Sequence, residues 1–200
     1  MARVTQAQRV AGVAVDAARR SPADFYPTPP EATEALLRVE TFRGPIWEPA
    51  CGDGAISKVL EAALPPWTVI KSTDLHNRGY GTPGIDFLTA DFYKHRPGWD
   101  FNIITNPPFA HVLPFMQRAV EFACYRSGGK AALLLRLACL EGQARRAFFE
   151  SSPLARVWVF SKRVQFKRPG WEDTGKGGMV AYAWYVWEHD HEGPPTLGWL

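Results

Sequence analysis

Two kinds of apolar pattern alternate along this 200-residue chain. Short apolar runs rich in β-branched and aromatic residues predict buried strands, at residues 46–47, 69–72, 85–88, 101–105, 131–137, 157–160 and 182–187. Between the earlier runs, apolar residues recur every three or four positions, which predicts amphipathic helices. The last two runs follow each other without a full helix between them. The pattern therefore predicts an α/β fold with a doubly wound, seven-stranded, mostly parallel sheet and antiparallel C-terminal edge strands.

The composition favours a single packed domain over residues 1–200, because hydrophobic residues make up 46% of the chain and aromatic residues 13%. Residues 1–23 combine arginines with apolar residues at helical spacing, so we predict a short basic helix there. Its arginines either contact a phosphate backbone or form a solvated helix face, and the weakly amphipathic pattern favours the solvated face. A further helix is predicted over residues 29–39, with Thr28 as its N-cap and Pro29 as its first residue.

The charge and cysteine content limit the partners that we expect. A formal charge of +3 is compatible with nucleic-acid binding but does not require it. The three cysteines show no paired spacing, so neither a disulfide framework nor a zinc site is indicated. We find no membrane-length apolar stretch and no signal-peptide core. We therefore expect a reduced, cytoplasmic protein with neither a membrane nor a metal partner.

One candidate ligand site begins where a strand, a glycine-containing turn and a helix follow one another. The turn is Glu48-Pro49-Ala50-Cys51-Gly52-Asp53-Gly54, which we call the Gly-turn. Glycines permit a tight turn and close approach of a ligand. The phosphate-binding GxGxxG pattern is absent, and the acidic Asp53 between the glycines favours a cationic ligand. A plain strand-to-helix turn is the alternative.

Acidic residues farther along suit a nucleoside. Asp74 ends the next strand, about twenty residues past the Gly-turn, where an acid accepts hydrogen bonds from ribose hydroxyls. Asp86-Phe87 and Asp91-Phe92 are two acid–aromatic pairs. Either aspartate can accept from an adenine amino group while its phenylalanine covers the ring, and the sequence leaves the choice between the pairs open.

A second candidate site is the motif Asn106-Pro107-Pro108-Phe109, at which the apolar run 101–105 stops. Proline cannot donate to a β-ladder, so the strand ends there. An amide, two rigid carbonyls and an aromatic ring are thereby placed at the carboxyl edge of the sheet, where open α/β folds bind ligands. A strand that ends in a Pro-Pro turn, with Phe109 merely packing, is the alternative interpretation.

Basic and aromatic residues alternate in a loop over residues 163–178, which includes Arg163, Lys167 and Arg168. This combination suits a surface that faces nucleic acid. A solvated loop with core aromatics fits the pattern nearly as well.

Together these motifs resemble the class I S-adenosylmethionine-dependent methyltransferases that act on amino groups. They look most like adenine-N6 DNA methyltransferases of the small phage and prophage type. The resemblance runs from about residue 24 to 188 and rests on Tyr-x-Thr-Pro at 26–29, Glu-Pro-Ala-Cys-Gly-x-Gly at 48–54, Ser-Thr-Asp-Leu at 72–75, Asp-Phe-Leu at 86–88 and Asn-Pro-Pro-Phe at 106–109. It implies a Rossmann-like fold, S-adenosylmethionine as cofactor, DNA as partner and methylation of adenine N6.

The resemblance also assigns roles to individual residues. The implied catalytic residues are Asn106, Pro107, Pro108 and Phe109. The implied cofactor-binding residues are Tyr26, Thr28, Pro29, Glu48, Ala50, Cys51, Gly52, Gly54, Asp74, Leu75, Asp86, Phe87, Asp91, Phe92 and Asn106. The candidate substrate-binding residues are Phe109, Arg136, Arg163, Lys167 and Arg168.

Two rival functions stay open. Enzymes that methylate protein glutamine or RNA bases share the Asn-Pro-Pro-Phe motif, although the short segment ahead of the Gly-turn argues against the glutamine enzymes. The other rival is an inactive protein that binds the cofactor and nucleic acid. Many relatives carry a separate target-recognition domain for which this chain has no room, so sequence specificity is not predicted.

Overall fold

A computed structural model describes residues 25–90, 101–166 and 180–200. The predicted N-terminal basic helix, the pair Asp91-Phe92, and the basic residues Lys167 and Arg168 lie outside these ranges. The described part forms one sheet of eight strands with helices on both faces.

The strands are β1 (Ile46–Glu48), β2 (Ile70–Asp74), β3 (Thr82–Pro83), β4 (Asn102–Thr105), β5 (Lys130–Arg136), β6 (Leu154–Val159), β7 (Tyr182–Glu188) and β8 (Thr196–Trp199). The α-helices are α1 (Pro30–Val39), α2 (Ala55–Ala63), α3 (Val112–Val120) and α4 (Gln143–Ser151). Helix α3 continues into a π-helical turn over Glu121–Arg126, and 3₁₀ turns lie at Phe109–His111 and Leu137–Leu140.

The strand order is β3-β2-β1-β4-β5-β7-β6-β8. Strands β1 to β5 are mutually parallel where they pair, and β7 runs antiparallel to both of its neighbours, β5 and β6. The pairing of β1 with β4 brings the ends of the strands at Glu48 and Asn106 side by side. This confirms the predicted α/β sheet, mostly parallel with an antiparallel C-terminal part.

Alternate residues of each central strand enter two separate cores. Trp47 and Ile103 pack on one face with α3, whereas Ile46 and Ile104 pack on the other face with α1 and α2. The strands read as continuous apolar runs because both faces are covered. The covering helices leave the carboxyl edge of the sheet open.

Three details of the predicted fold are wrong. Residues 85–88 do not form a strand but lead into a turn over residues 87–89, and the outer neighbour of β2 is the two-residue β3 that precedes them. The chain end, for which no strand is predicted, contributes an eighth strand, β8, which pairs in parallel with β6 and forms an edge of the sheet. Helix α1 begins at Pro30 with Pro29 as its N-cap, so Thr28 does not cap it.

Candidate functional site

A cleft at the carboxyl edge lies where the strand order reverses. The chain passes from β1 outward to β2 and β3, and resumes on the other side of β1 at β4. Open α/β sheets bind ligands at this point, because the loops after the two central strands diverge. The cleft has a volume of about 550 Å³, which is in the range of sites for cofactor-sized ligands. The loops after β1, β2 and β4 supply its walls together with residues 25–28.

The carboxylate of Asp74 organises the Gly-turn. Gly52 has a φ of 57°, which residues with a Cβ rarely adopt. The Gly52 N–H donates to Asp74 Oδ2 at 2.8 Å, and the His76 N–H donates to Asp74 Oδ1 at 2.7 Å. Each carboxylate oxygen has more than one lone pair, so Asp74 can also accept from a ligand hydroxyl in the cleft that it lines.

Glu48, at the end of β1, is a buried carboxyl group on the floor of the cleft. It is 1% exposed, and its Oε2 accepts a hydrogen bond from the Ser57 hydroxyl. Burial, together with the nearby charges of Asp74 and Asp53, raises the pKa of Glu48 from 4.5 to about 8. Burial likewise raises the pKa of the Cys51 thiol to about 12. At neutral pH the floor of the cleft therefore holds a protonated carboxyl group and a neutral thiol, which is not a nucleophile.

The Asn106 amide, directly after β4, is oriented by two acceptors. Its Nδ2 donates to Thr28 Oγ1 at 3.1 Å and to the Tyr26 carbonyl at 3.4 Å. A backbone carbonyl can only accept, so the contact with Tyr26 fixes which end of the amide is which. Oδ1 is then left buried, without a hydrogen-bond partner among the described residues. Because a buried acceptor without a partner costs free energy, such an atom beside a cleft indicates a ligand position.

Phe109 belongs to an aromatic group beside Asn106. Its ring centroid lies 5.5 Å from that of Tyr26 and 6.3 Å from that of Tyr182. The guanidinium carbon of Arg136, at the end of β5, lies 4.5 Å from the Phe109 centroid, which is a cation–π distance. Phe109 is half-buried and Arg136 is exposed. A planar ligand that stacks on the face covered by Arg136 would displace the guanidinium.

Most of the sequence-predicted residues in the described ranges line the cleft: Tyr26, Thr28, Glu48, Ala50, Cys51, Gly52, Asp74, Leu75, Asp86, Phe87, Asn106 and Pro108. Thr28 lines it while its hydroxyl also accepts from Asn106. The structure thus brings the Gly-turn, Asp74, the first acid–aromatic pair and the Asn-Pro-Pro motif into one site.

Other predicted residues in the described ranges are not among those that line the cleft. Pro29, Pro107 and Phe109 are sequence neighbours of lining residues. Gly54 lies under the ring of Tyr80, since a Cβ on Gly54 would come within 2.6 Å of that ring. Arg163 is exposed on the segment after β6.

Sequence reasoning missed several residues that line the cleft, above all Phe25, His76, Arg78 and His111. An aromatic doublet ahead of Thr-Pro was the available signal for Phe25. His76 and Arg78 belong to a stretch that looks only like a glycine-rich loop. Their place in the site depends on how that loop folds back, which no local pattern predicts.

Neither a metal cluster nor a membrane span is found in the described part of the chain. Across residues 25–90, 101–166 and 180–200, no group of three or more His, Cys, Asp or Glu side chains is arranged to hold a metal ion. No helix in these ranges is long and apolar enough to cross a membrane.

Solved methyltransferase structures share this fold. A candidate class I S-adenosylmethionine-dependent methyltransferase from Listeria monocytogenes matches over 86% of this chain and 64% of its own, with a TM-score of 0.58 and 13% identity. The type I restriction-modification system methyltransferase subunit from Streptococcus thermophilus matches over 80% of this chain and 43% of its own, with a TM-score of 0.56 and 14% identity. A candidate RNA methyltransferase from Pyrococcus horikoshii matches over 84% of this chain and 87% of its own, with a TM-score of 0.56 and 14% identity.

No protein-family model and no curated protein sequence matches the chain. The chain spans less than two thirds of the length of the first two structures, 64% and 43%. At these identities the similarity concerns the fold. The chain therefore has the Rossmann-like fold of the class I S-adenosylmethionine-dependent methyltransferases.

Proposed function

We propose that this protein transfers the methyl group of S-adenosylmethionine to the exocyclic N6 amine of adenine in DNA. The observation that carries the proposal is Asn106 Oδ1, a buried acceptor at the end of β4 without a partner among the described residues. Phe109 offers a stacking ring three residues farther on. The restriction-modification methyltransferase among the structures of similar fold supports DNA as the substrate.

The residues around the Gly-turn suit this cofactor. Asp74 has acceptor capacity for ribose hydroxyls. Asp86, whose Oδ1 accepts from the Leu88 N–H at 3.0 Å, lies beside the buried Phe87 and would hold the adenine ring of the cofactor. Acidic walls fit a cationic ligand and oppose a phosphate. When bound, the cofactor supplies a methyl group already activated on a sulfonium centre.

The task left to the protein is to prepare the amine. The lone pair of an adenine amine is delocalised into the ring, so the nitrogen is a poor nucleophile. Asn106 Oδ1 and the Pro107 carbonyl would each accept one N–H hydrogen and draw the nitrogen toward tetrahedral geometry. Thr28 and Tyr26 hold the Asn106 amide in place beforehand. Such preorganised hydrogen bonding and positioning supply much of the rate in enzymes of this kind.

Access of the base to Phe109 involves Arg136. An adenine in duplex DNA must be flipped out, which costs a few kcal/mol. Stacking on the Phe109 face that Arg136 covers would release the guanidinium. The released guanidinium, together with Arg163 and the basic residues Lys167 and Arg168, would then contact phosphates.

A second candidate function is methylation of an RNA base or of protein glutamine. Both targets present an NH₂ group to the same pair of acceptors, and a candidate RNA methyltransferase is among the structures of similar fold. A binding protein without activity is the remaining alternative.

The test is one incubation of the full chain with S-adenosylmethionine labelled in its methyl group, in parallel with adenine-containing duplex DNA, single-stranded DNA, RNA and a protein mixture. Nucleoside analysis of the DNA should recover the label in N6-methyladenine. Label only in RNA or only in protein would favour the second candidate. Cofactor binding without any transfer would favour the inactive binding protein.

A further inference from the structure

The loop after β2 folds back over the Gly-turn. The ring of Tyr80 lies over Gly54, as the clash of an added Cβ shows. A Cβ on Gly81 would lie 2.8 Å from Cys51 Sγ, so this glycine packs directly against the turn. The Tyr80 hydroxyl donates to Glu61 on α2. The Tyr80–Gly81 end of the loop is thereby anchored on the Gly-turn and on α2, and Arg78, two residues before Tyr80, lines the cleft.

Arg78 is in this loop, and its guanidinium is held by stacking alone. Its guanidinium carbon lies 4.1 Å from the centroid of Phe25. The Phe25 ring in turn covers Gly52, where an added Cβ would lie 2.5 Å from Phe25 Cε2. Arg78 is half-buried and lines the cleft. It forms no ion pair with any residue that the structure describes.

The acidic side chains of the cleft differ in whether their oxygens have hydrogen-bond partners among the described residues. Both oxygens of Asp74 accept backbone N–H groups, and Glu48 accepts from Ser57. Asp53 Oδ1, in contrast, is buried without a partner among the described residues. Arg78 is the one arginine or lysine in the described lining of the cleft. The wall around the Gly-turn therefore presents one cation and one carboxylate oxygen that lack partners.

We infer that Arg78 and Asp53 form the subsite for the zwitterionic amino-acid end of the methyl donor, with Arg78 binding its carboxylate and Asp53 its ammonium group. This inference rests on the proposed function, since it requires S-adenosylmethionine in this cleft. An arginine whose plane is fixed by an aromatic ring is suited to bidentate carboxylate recognition. The location agrees with the methionine end, because Phe25 directly precedes the Tyr26 that borders Asn106.

The test measures binding of three ligands to the full chain by calorimetry, without any turnover. S-adenosylhomocysteine carries both charged groups, its decarboxylated analogue carries only the ammonium group, and methylthioadenosine carries neither. Arg78→Met should weaken S-adenosylhomocysteine about 10- to 100-fold, as expected for a lost charge-assisted hydrogen bond. It should leave the other two ligands unchanged. Asp53→Asn should weaken the first two ligands and spare methylthioadenosine.

Arg38→Met is the matched control, because Arg38 is an exposed arginine on α1 away from the cleft and its replacement changes the net charge equally. It should change no affinity, and Arg78→Lys should restore part of the loss. Equal weakening of S-adenosylhomocysteine and methylthioadenosine by Arg78→Met, or no weakening at all, would overturn the subsite while leaving the proposed function standing. Failure of the wild-type protein to bind S-adenosylhomocysteine would overturn both.

Discussion

Two buried glutamates at opposite edges of the sheet have pKa values that are shifted in opposite directions. Glu40, at the amino edge, accepts hydrogen bonds from Lys130 at 3.0 Å, from Trp158 at 2.9 Å and from the Arg156 guanidinium. Burial alone would raise the pKa of Glu40, but these donors hold it below 4.5. Glu48, at the carboxyl edge, accepts a hydrogen bond from the Ser57 hydroxyl, and burial raises its pKa to about 8.

This difference indicates that the amino edge stabilises the fold and that the carboxyl edge is the candidate site of the reaction. At the amino edge the buried charges are paired and stabilise the junction of α1 with β5 and β6. At the carboxyl edge, Glu48 is neutral and Asn106 Oδ1 has no described partner. Where such groups line a cleft, a bound ligand can supply the missing partner. We therefore expect substitutions at the two edges to affect different measurements.

The largest expected effect on stability comes from Glu40→Ala. It removes one of the two carboxylates that pair with Lys130 and Arg156 and leaves them only Glu188. The loss should cost about 3 kcal/mol of unfolding free energy, the lower end of the range for breaking a buried ion pair. Urea denaturation measures it. Glu150→Ala breaks the exposed pair with Arg146 and should leave the denaturation midpoint unchanged. Equal shifts of the denaturation midpoint for Glu40→Ala and Glu150→Ala would show that the buried ion pairs of Glu40 stabilise the fold no more than an exposed pair does.

Glu48→Gln should alter the dependence of stability on pH. The folded protein keeps the Glu48 proton up to about pH 8, whereas the unfolded chain releases it near pH 4.5. The stability contribution is therefore fully present below pH 4.5 and is lost as pH rises through 8. Gln cannot ionise and still accepts from Ser57, so the variant should exceed wild type at pH 9 by on the order of several kcal/mol, with little difference at pH 4.

Denaturation curves at a series of pH values measure this effect. The carboxylate of Glu40 supplies the internal contrast, because its lowered pKa gives stability that is present above its unfolded pKa and is lost as pH falls through the folded one. A Glu48→Gln protein less stable than wild type at pH 9 would contradict the neutral state assigned to Glu48.

Phe109→Ala should weaken binding of the target base by on the order of 1–3 kcal/mol, the stacking free energy of one base on an aromatic ring. Phe109→Tyr keeps the ring face and should retain activity. The measurement is the KM for adenine-containing DNA together with the affinity for a DNA that carries an unpaired target adenine. If Ala and Tyr behaved alike, Phe109 would be a packing residue of the aromatic group.

Thr28→Val gives the smallest effect, about a tenfold loss of kcat, because it removes one of two acceptors that orient Asn106. Cofactor affinity should change little, and Thr28→Ser should restore the rate. Thr33→Val is the matched control, since Thr33 Oγ1 is buried without a described partner on α1 and should tolerate a methyl group. A loss confined to cofactor KM would mean that Thr28 acts on the cofactor instead.

The sequence predicts the carboxyl edge well, because each signal there is local. The Asn-Pro-Pro motif must end β4, and the glycines of the Gly-turn must link β1 to α2. The adjacency of these strands follows from the parallel α/β pattern. The features that the sequence does not predict depend on contacts between distant residues. The edge strand β8 pairs with β6 across a long sequence separation. Arg78 lines the cleft in a loop that packs on Gly54 through Tyr80 and on Phe25 through Arg78 itself.

Two asparagines at the ends of β4 allow the most direct test of the central claim. Asn102 is satisfied on both sides, since its Oδ1 accepts from the Lys130 N–H at 3.0 Å and its Nδ2 donates to the carbonyls of Arg43 and Pro45. Asn106 has a satisfied Nδ2 and an Oδ1 without a described partner. The measurement is the single-turnover rate of methyl transfer to adenine N6 in DNA, with unfolding free energy and S-adenosylhomocysteine affinity recorded on the same samples. Asn106→Ala should lower the rate by about 100-fold or more with little change in stability or cofactor affinity, whereas Asn102→Ala should lower stability and leave the rate per folded molecule unchanged. A wild-type rate in Asn106→Ala would contradict the account.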